Sequence, residues 1–413
     1  MNAWMARAGT YYSQMAVFLF CALALIVPSG YSVGSALLLG GGLVCLLCQP
    51  ALTRQLQRDD YWLLAIFLFY GLVGVINVLY HGESSRYFDK PVRFLLAPFG
   101  LFLLIRFRPC IQAWWAGVAF GAISSGLWAI EQKFYLHIER ADGHTNAIQY
   151  GNLSMLLGLW CLAGLMWARQ RVRHRPLWVL FLAAGALLGI TASLLSGSRG
   201  GWVGLPLVIL VFYRAYSDQL NKKLQWLLAL VLIGGAAAVY LTPELGVQQR
   251  VHEAYSDIYA YWFLDNPVTS IGQRFEMWRA AGQLIQEHPL MGWGDSGYHH
   301  GIQHLVGQGR AHPAIEHFTQ PHNEILNYAA KYGILGFLAL FFIYALPFKL
   351  FSSGLQHRCQ SQRATAVAGT LLAVSFIDFG LTQAFLSHNS GIMVYSFGTV
   401  FIWGLYRHQK PLT

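Results

Sequence analysis

Apolar runs long enough to cross roughly 30 Å of hydrocarbon recur along this chain, at about 12–28, 33–49, 61–80, 92–107, 112–130, 147–168, 177–196, 201–216, 224–242, 323–348, 364–386 and 390–406. A backbone in lipid must satisfy its own hydrogen bonds, so each run is expected to be a helix. The fold expected is therefore an all-α polytopic membrane protein of about twelve transmembrane helices, with one large, partly helical loop before the tenth. Composition agrees: 55% of the 413 residues are hydrophobic and 11% charged, against about a quarter charged in soluble domains. The first run, Met15 to Val27, lacks a small-residue cleavage site and leads into further runs, so it reads as a span and not as a removable signal peptide.

The net charge of +10 is not gathered on one soluble face, as nucleic acid would require, but sorted by loop. With the N-terminus inside, the inner loops carry Arg7, Arg54, Arg58, Arg106, Arg108, Arg169, Arg171, Arg173, Arg175, Arg214, Lys222, Lys223, Lys349, Arg358, Arg363, Arg407 and Lys410. These are seventeen of the 28 Lys and Arg, against the acids Asp59, Asp60 and Asp218. The positive-inside rule then puts both termini inside and the one long hydrophilic stretch outside. Three regions follow: nine helices with short loops over 1–242, the large outer loop over 243–322, and three helices with an inner C-terminus over 323–413.

The outer loop is rich in Trp, Tyr and Phe and carries helix punctuation. Ser270-Ile271-Gly272-Gln273 reads as a capping box and opens a helix with Phe275, Trp278, Gly282 and Ile285 at helical spacing; His288-Pro289 ends it. None of the six cysteines lies in this loop, so it carries no disulfide framework. Cys45 and Cys48 form a C-x-x-C inside an apolar helix, where packing is the expected role.

The loop re-enters the membrane at Gln320-Pro321-His322-Asn323-Glu324. His322 follows a proline and opens a helix, so free N–H groups and the positive end of the helix dipole lie beside it. That field favours the neutral imidazole, which can accept a proton from a hydroxyl as a general base does. A helix start also attracts phosphate. Gly333 lies eleven residues on, on the same helical face and about 16 Å deeper, and with Gly336 it would let another helix approach. The alternative is that His322 only caps a helix and the glycines only pack.

Arg199 stands in Ser196-Gly197-Ser198-Arg199-Gly200-Gly201, a short outer turn where positive charge does not serve topology. An arginine near membrane depth costs a few kcal/mol, which points to a role. The flanking glycines suit an anion nest and guanidinium binds phosphate bidentately; an arginine reaching to lipid headgroups is the competing reading. Arg86, Lys90, Arg93, Arg140 and Arg274 make the rest of the outer mouth basic, as a lipid pyrophosphate site would require. Arg274, on a capped helix, has the most fixed setting. His299, His300, His304, His312 and His317 raise the question of zinc, but no cysteine or H-E-x-x-H accompanies them, and no Asp-x-Asp pair is present to hold a divalent cation. Asp378 sits within an apolar run, with Gln383 beyond it and His388-Asn389 in the last outer turn. It is a candidate for function or for a structural pairing with Arg or Tyr inside the bundle.

His322-Asn323, nine residues, Gly333, two residues and Gly336 resemble the signature of the bacterial O-antigen ligases, a branch of the superfamily that includes O-antigen polymerases and protein O-oligosaccharyltransferases. Ser196 to Gly201 is similar to that family's Ser-x-Arg-Gly turn, and His288-Pro289-Leu290 to Gly294 to a stretch early in its large loop. The resemblance implies a metal-independent, inverting glycosyl transfer without a cofactor, on the periplasmic face of the inner membrane. The donor would be a glycan on undecaprenyl pyrophosphate and the acceptor the lipid A-core. His322 would activate the acceptor hydroxyl, and Arg199 and Arg274 would hold the pyrophosphate. Substrate contacts are expected from Arg86, Lys90, Arg93, Arg140 and Asn323. A polymerase or a protein-modifying transferase is the nearest alternative. A transporter or flippase would also suit twelve spans with both ends inside. Against that stand the ordered outer loop and the lack of a pair of interrupted helices in matching halves.

Overall fold

The computed structural model describes residues 3–169, 174–198, 200–242 and 247–407. Among these it contains sixteen α-helices and no strand. They are α1 (Ala3–Ala22), α2 (Tyr31–Cys48), α3 (Arg58–Tyr80), α4 (Asp89–Leu96), α5 (Gly100–Arg106), α6 (Ile111–Ile130), α7 (Ala147–Ala168), α8 (Arg175–Leu195), α9 (Leu205–Tyr216), α10 (Lys222–Leu241), α11 (Val247–Phe263), α12 (Ser270–Glu287), α13 (Gly297–Gly307), α14 (Glu324–Ser352), α15 (Gln360–Thr382) and α16 (Asn389–Arg407). Among the described residues eight segments are long and apolar enough to cross a membrane: α2, α3, α6 with the turn that follows it, α7, α8, α10, α14 and α15. The other four apolar runs hold α1, the pair α4 and α5, the short α9, and α16. Pro98 stands in the 3-10 turn Ala97–Phe99 that separates α4 from α5, because it has no N–H to continue the helical ladder.

The bundle is centred on α7, α15 and α16, which are buried along most of their length. Contacts between helix ends sort the loops into two groups. At one end Arg407 pairs with Asp60 at the start of α3 (2.6 Å), and Arg363 near the start of α15 pairs with Asp218 just past α9 (2.9 Å). At the other end Asn77 of α3 bonds the Met291 carbonyl, Arg93 of α4 bonds Asn389 at the start of α16, and Ser390 bonds Gln149 of α7. The segments that carry Arg93, Arg140, His322 and His388 lie at this second end.

Helices α12 and α13 build a small core of their own from Met277, Ala280, Ala281, Leu284, Tyr298, Ile302 and Leu305, closed by Ala330 of α14. One local expectation needs correction here. Thr269, not Ser270, is the N-cap of α12, its hydroxyl accepting the Gly272 N–H (3.0 Å). The aromatic series at helical spacing lies on this helix as expected, and the fully buried face beside it runs through Met277, Ala280, Ala281 and Leu284. Phe275 and Trp278 take the flank, where Phe275 packs on Tyr261 and Trp278 reaches Pro321, leaving small alanines at the closest approach.

The largest correction concerns Gly333, where α14 is interrupted (φ 65°, ψ −156°). The freed carbonyls of Ala330 and Lys331 accept the N–H groups of Trp293 (2.9 Å) and Gly294 (2.8 Å), and the Ile334 N–H donates to Pro289 O (2.8 Å). A loop is thus spliced into the helix at its break, and its backbone bonds these three groups that the break frees. A Cβ on Gly333 would sit 2.2 Å from the Leu290 carbonyl oxygen. Gly333 therefore serves loop docking, not the approach of another helix below His322. With α4 and α5, two membrane helices are interrupted, so that argument against a transporter does not hold.

The docked loop is also anchored by a buried ion pair between Asp295 and Lys331 of α14 (2.9 Å), with the Tyr332 hydroxyl on the second carboxylate oxygen (2.5 Å). Although burial alone would raise it, Lys331, Lys90 and these bonds pull the Asp295 carboxyl down to about 2. Replacing Asp295 by Ala leaves Lys331 buried without a counter-charge, and the expected loss of stability is about 3–5 kcal/mol. Thermal unfolding of the detergent-purified variant measures it; a transition unchanged from wild type contradicts the anchoring role.

Candidate active site

His322 lies one residue outside α14. Its φ is +49°, an uncommon left-handed conformation for a side-chain-bearing residue, and its neighbours hold it there. The Trp278 indole N–H donates to the Pro321 carbonyl (2.9 Å). Asn323 is the N-cap of α14, its side-chain oxygen accepting the Leu326 N–H (3.1 Å), while its amide nitrogen reaches Leu381 O (3.4 Å). The candidate substrate contact of Asn323 is thus already engaged in structure. The imidazole is half-buried and edge-on to Phe318.

The Nδ1 of His322 is hydrogen-bonded to Gln383 Oε1, and Gln383 Nε2 in turn contacts His388 Nε2 (2.9 Å). Burial pushes the His322 imidazole below the ordinary histidine range. The bond to Gln383 opposes this and the nearby Arg274 guanidinium adds to it. His388 is pushed further, to about 4, by burial and then by Lys90 and His322. Both rings are therefore neutral at ambient pH. The turn that carries Gln383 and His388 is held against α14 by Glu324, whose carboxylate accepts the Leu386 N–H (2.8 Å).

The structure brings some of the expected cations to this centre and not others. Arg274 lies on α12 one turn before Trp278, on the face that reaches Pro321, and is close enough to depress His322. Burial lowers its own basicity, partly offset by Asp257. Lys90 flanks His388 and lines a narrow cavity with Tyr70, Asn327, Tyr328 and Ser387. Arg93 pairs with Asp89 (2.6 Å) and holds Asn389 (3.1 Å) in the same turn as His388. Arg140 donates to Ser196 O (2.9 Å) and so packs on the turn beside position 199. Arg86 is exposed, and its guanidinium is folded onto the Tyr87 ring.

Arg199 itself lies outside the described residues. Its flanks are fixed: Ser198 Oγ donates to Asn152 (3.0 Å), and a Cβ on Gly200 would meet Thr382 Oγ1 at 2.3 Å, next to Gln383. Asp378, expected to pair with Arg or Tyr or to act in function, instead accepts the Gly204 N–H at the start of α9. Among the described residues no three His, Cys, Asp or Glu side chains are grouped as a metal would need. His312 caps a 3-10 turn and His304 contacts Gln308.

Gln383, His388 and Trp278 complete the centre, and sequence reasoning gave them no role. The available signal was weak: two polar side chains in the last outer turn, and one tryptophan at a helical spacing from Arg274.

Three comparisons bear on this arrangement. The chain is 30% identical over 388 residues to an uncharacterized protein of Haemophilus influenzae, covering 94% of this chain and 96% of that one. It is 29% identical over 234 residues to an O-antigen ligase of Pseudomonas aeruginosa, covering 56% of this chain and 46% of the Pseudomonas protein. The family model described as O-antigen ligase matches residues 184–341. The chain belongs to the O-antigen ligase superfamily. The stretch matched by the O-antigen ligase model contains Arg199, Arg274, His322, Gly333 and Gly336, whereas Lys90, Arg93, Gln383 and His388 lie outside it. Members of this superfamily are membrane glycosyltransferase-like enzymes acting on polysaccharide and lipid-linked substrates.

Proposed function

We propose that this protein is an O-antigen ligase of the inner membrane, transferring O-antigen polysaccharide from undecaprenyl pyrophosphate to the lipid A-core on the periplasmic face. The observation that carries the reading is the pairing of a neutral, half-buried His322 with the Arg274 guanidinium beside it. The sorting of basic residues to the inner loops supports an outward-facing end for this pair, and membership of the superfamily supports a polysaccharide and lipid-linked substrate. In the reaction, His322 takes the proton of an acceptor hydroxyl as its oxygen bonds the anomeric carbon. The bond from that carbon to the pyrophosphate breaks on the opposite face, inverting the centre. Arg274 and Arg199 meet the charge that develops on the departing pyrophosphate, the kind of electrostatic stabilisation that dominates many enzymes. Lys90, Arg93 and Arg140 keep the surrounding mouth basic.

The test is transfer by purified protein in detergent, given lipid-linked glycan and lipid A-core without ATP or added metal. A joined product supports the ligase reading. Extension of the lipid-linked glycan without its transfer to the core identifies a polymerase, and no product at all refutes transferase activity.

Arg274→Gln should lower kcat/KM about a hundredfold, the usual cost of one transition-state donor. It also removes a charge that opposes imidazolium. The base works only when deprotonated, so wild-type activity should persist below about pH 6.5, the ordinary histidine value, and fall as pH drops through the depressed pKa. In Arg274→Gln that acidic limb should move to higher pH. A limb that stays in place disproves the coupling of the two residues.

A further inference from the structure

Gln383 is buried, and the two ends of its side-chain amide meet two histidines. Its carbonyl faces His322 Nδ1 and its NH2 faces His388 Nε2. With the amide in this orientation its carbonyl oxygen accepts, so His322 carries its proton on Nδ1. An NH2 can only donate, so His388 must present a bare Nε2. The chain of donors thus runs from His322 through Gln383 to His388, and it leaves His322 Nε2 as the unprotonated nitrogen. Reversing the amide would reverse both assignments and put the proton on His322 Nε2, where a general base needs a lone pair.

We infer that His388 is a positioning residue that, by accepting from Gln383, locks His322 in the tautomer able to take the acceptor hydroxyl's proton. This rests on the reading of His322 as the base. Its setting favours the role. The ring sits beside Lys90 of α4 and faces His322, so a protonated His388, which would donate and reverse the chain, is disfavoured by cations on the flanking elements. Arg93 of α4 holds the adjacent Asn389, and Glu324 of α14 holds the backbone at Leu386. The turn therefore has little freedom to present another atom to Gln383. A glutamine also cannot hold a counter-charge for the imidazolium that forms after proton transfer. Control of the tautomer is what it can supply.

The experiment compares His388→Glu, which can only accept, with His388→Lys, which can only donate, at pH 8, where His322 is neutral in either variant. The Glu variant should keep kcat within about tenfold of wild type. The Lys variant should lose roughly 100-fold or more in kcat with KM little changed, since a base held in the wrong tautomer loses up to about 10⁴. The 15N shifts of the His322 ring in histidine-labelled wild-type protein in lipid bilayers, assigned against His322→Asn, give the tautomer directly and do not depend on how the variants fold. A protonated Nδ1 and bare Nε2 are expected. A protonated Nε2 in wild type, or equal activity of the folded Glu and Lys variants, overturns the inference and leaves the ligase reading standing. Full activity of His322→Asn would instead remove the reading beneath it.

Discussion

His322→Ala should lower transfer by about 10²–10⁴, the contribution of a positioned general base, while the protein remains inserted and folded. The ring is half-buried and, among the described residues, makes one side-chain hydrogen bond, to Gln383, so its removal leaves the neighbouring anchors in place. The Trp278 bond to Pro321 and the Asn323 cap both act through atoms outside the imidazole. His322→Asn is the sharper variant. Asparagine tolerates the left-handed backbone found here but has no nitrogen lone pair at the ring's position, so a loss of activity cannot be laid to backbone strain. Thermal unfolding and gel filtration in detergent check the fold, and initial rates with lipid-linked glycan and lipid A-core give the effect. Near-normal rates in both variants exclude His322 as the base.

Gly333→Ala should be among the most damaging substitutions outside the reacting groups. The backbone there occupies a region open almost only to glycine, which costs of order 1–3 kcal/mol for other residues. The new methyl would also lie 2.2 Å from Leu290 O and 2.7 Å from Met291 N. A total near 4 kcal/mol places the change in the range where a single substitution disrupts structure. The expected result is release of the 289–294 loop from α14, lower thermal stability, new protease cleavage near Gly292, and loss of transfer as α12 and Arg274 shift. Gly282→Ala is the control: beyond its own turn of α12, no atom of the described residues lies within 4 Å of the added methyl, and removing a helical glycine there should stabilise by about 0.5–1 kcal/mol. Equal stability of Gly333→Ala and wild type contradicts the spliced-loop account.

Both predictions turn on residues that the sequence marked, yet the reason each matters differs in how far it could be read. His322 was legible as a candidate because Pro321 and the following apolar run mark a helix start, although its own backbone is not helical. The spacing from His322 to Gly333 suggested a shared helical face. That reasoning failed because the reckoning began at a residue outside the helix and ended at a break within it. On α12 the helical spacing and the His288-Pro289 stop gave the helix and its end, whereas which face packs closest, the small alanines, depends on the neighbouring helices. Gln383 and His388 carried no periodic or motif signal, since their meaning depends on a partner some sixty residues away (|i−j| = 61).

What the sequence determined alone was the helical bundle, through apolar runs that can satisfy their backbones only internally, together with the motifs that mark the superfamily. Local signals suffice for these because span length, charge sorting and capping act within a few turns of chain. The tertiary structure decided which polar groups converge. It carried Arg274 to His322 on a helix held by Trp278, spliced a loop into α14 at Gly333, and set a glutamine between two histidines. Such contacts join residues far apart in the chain, and no local propensity encodes which buried donor will face which acceptor. Only the packed bundle, in which every buried polar atom must find a partner or bear the cost of desolvation, settles those pairings.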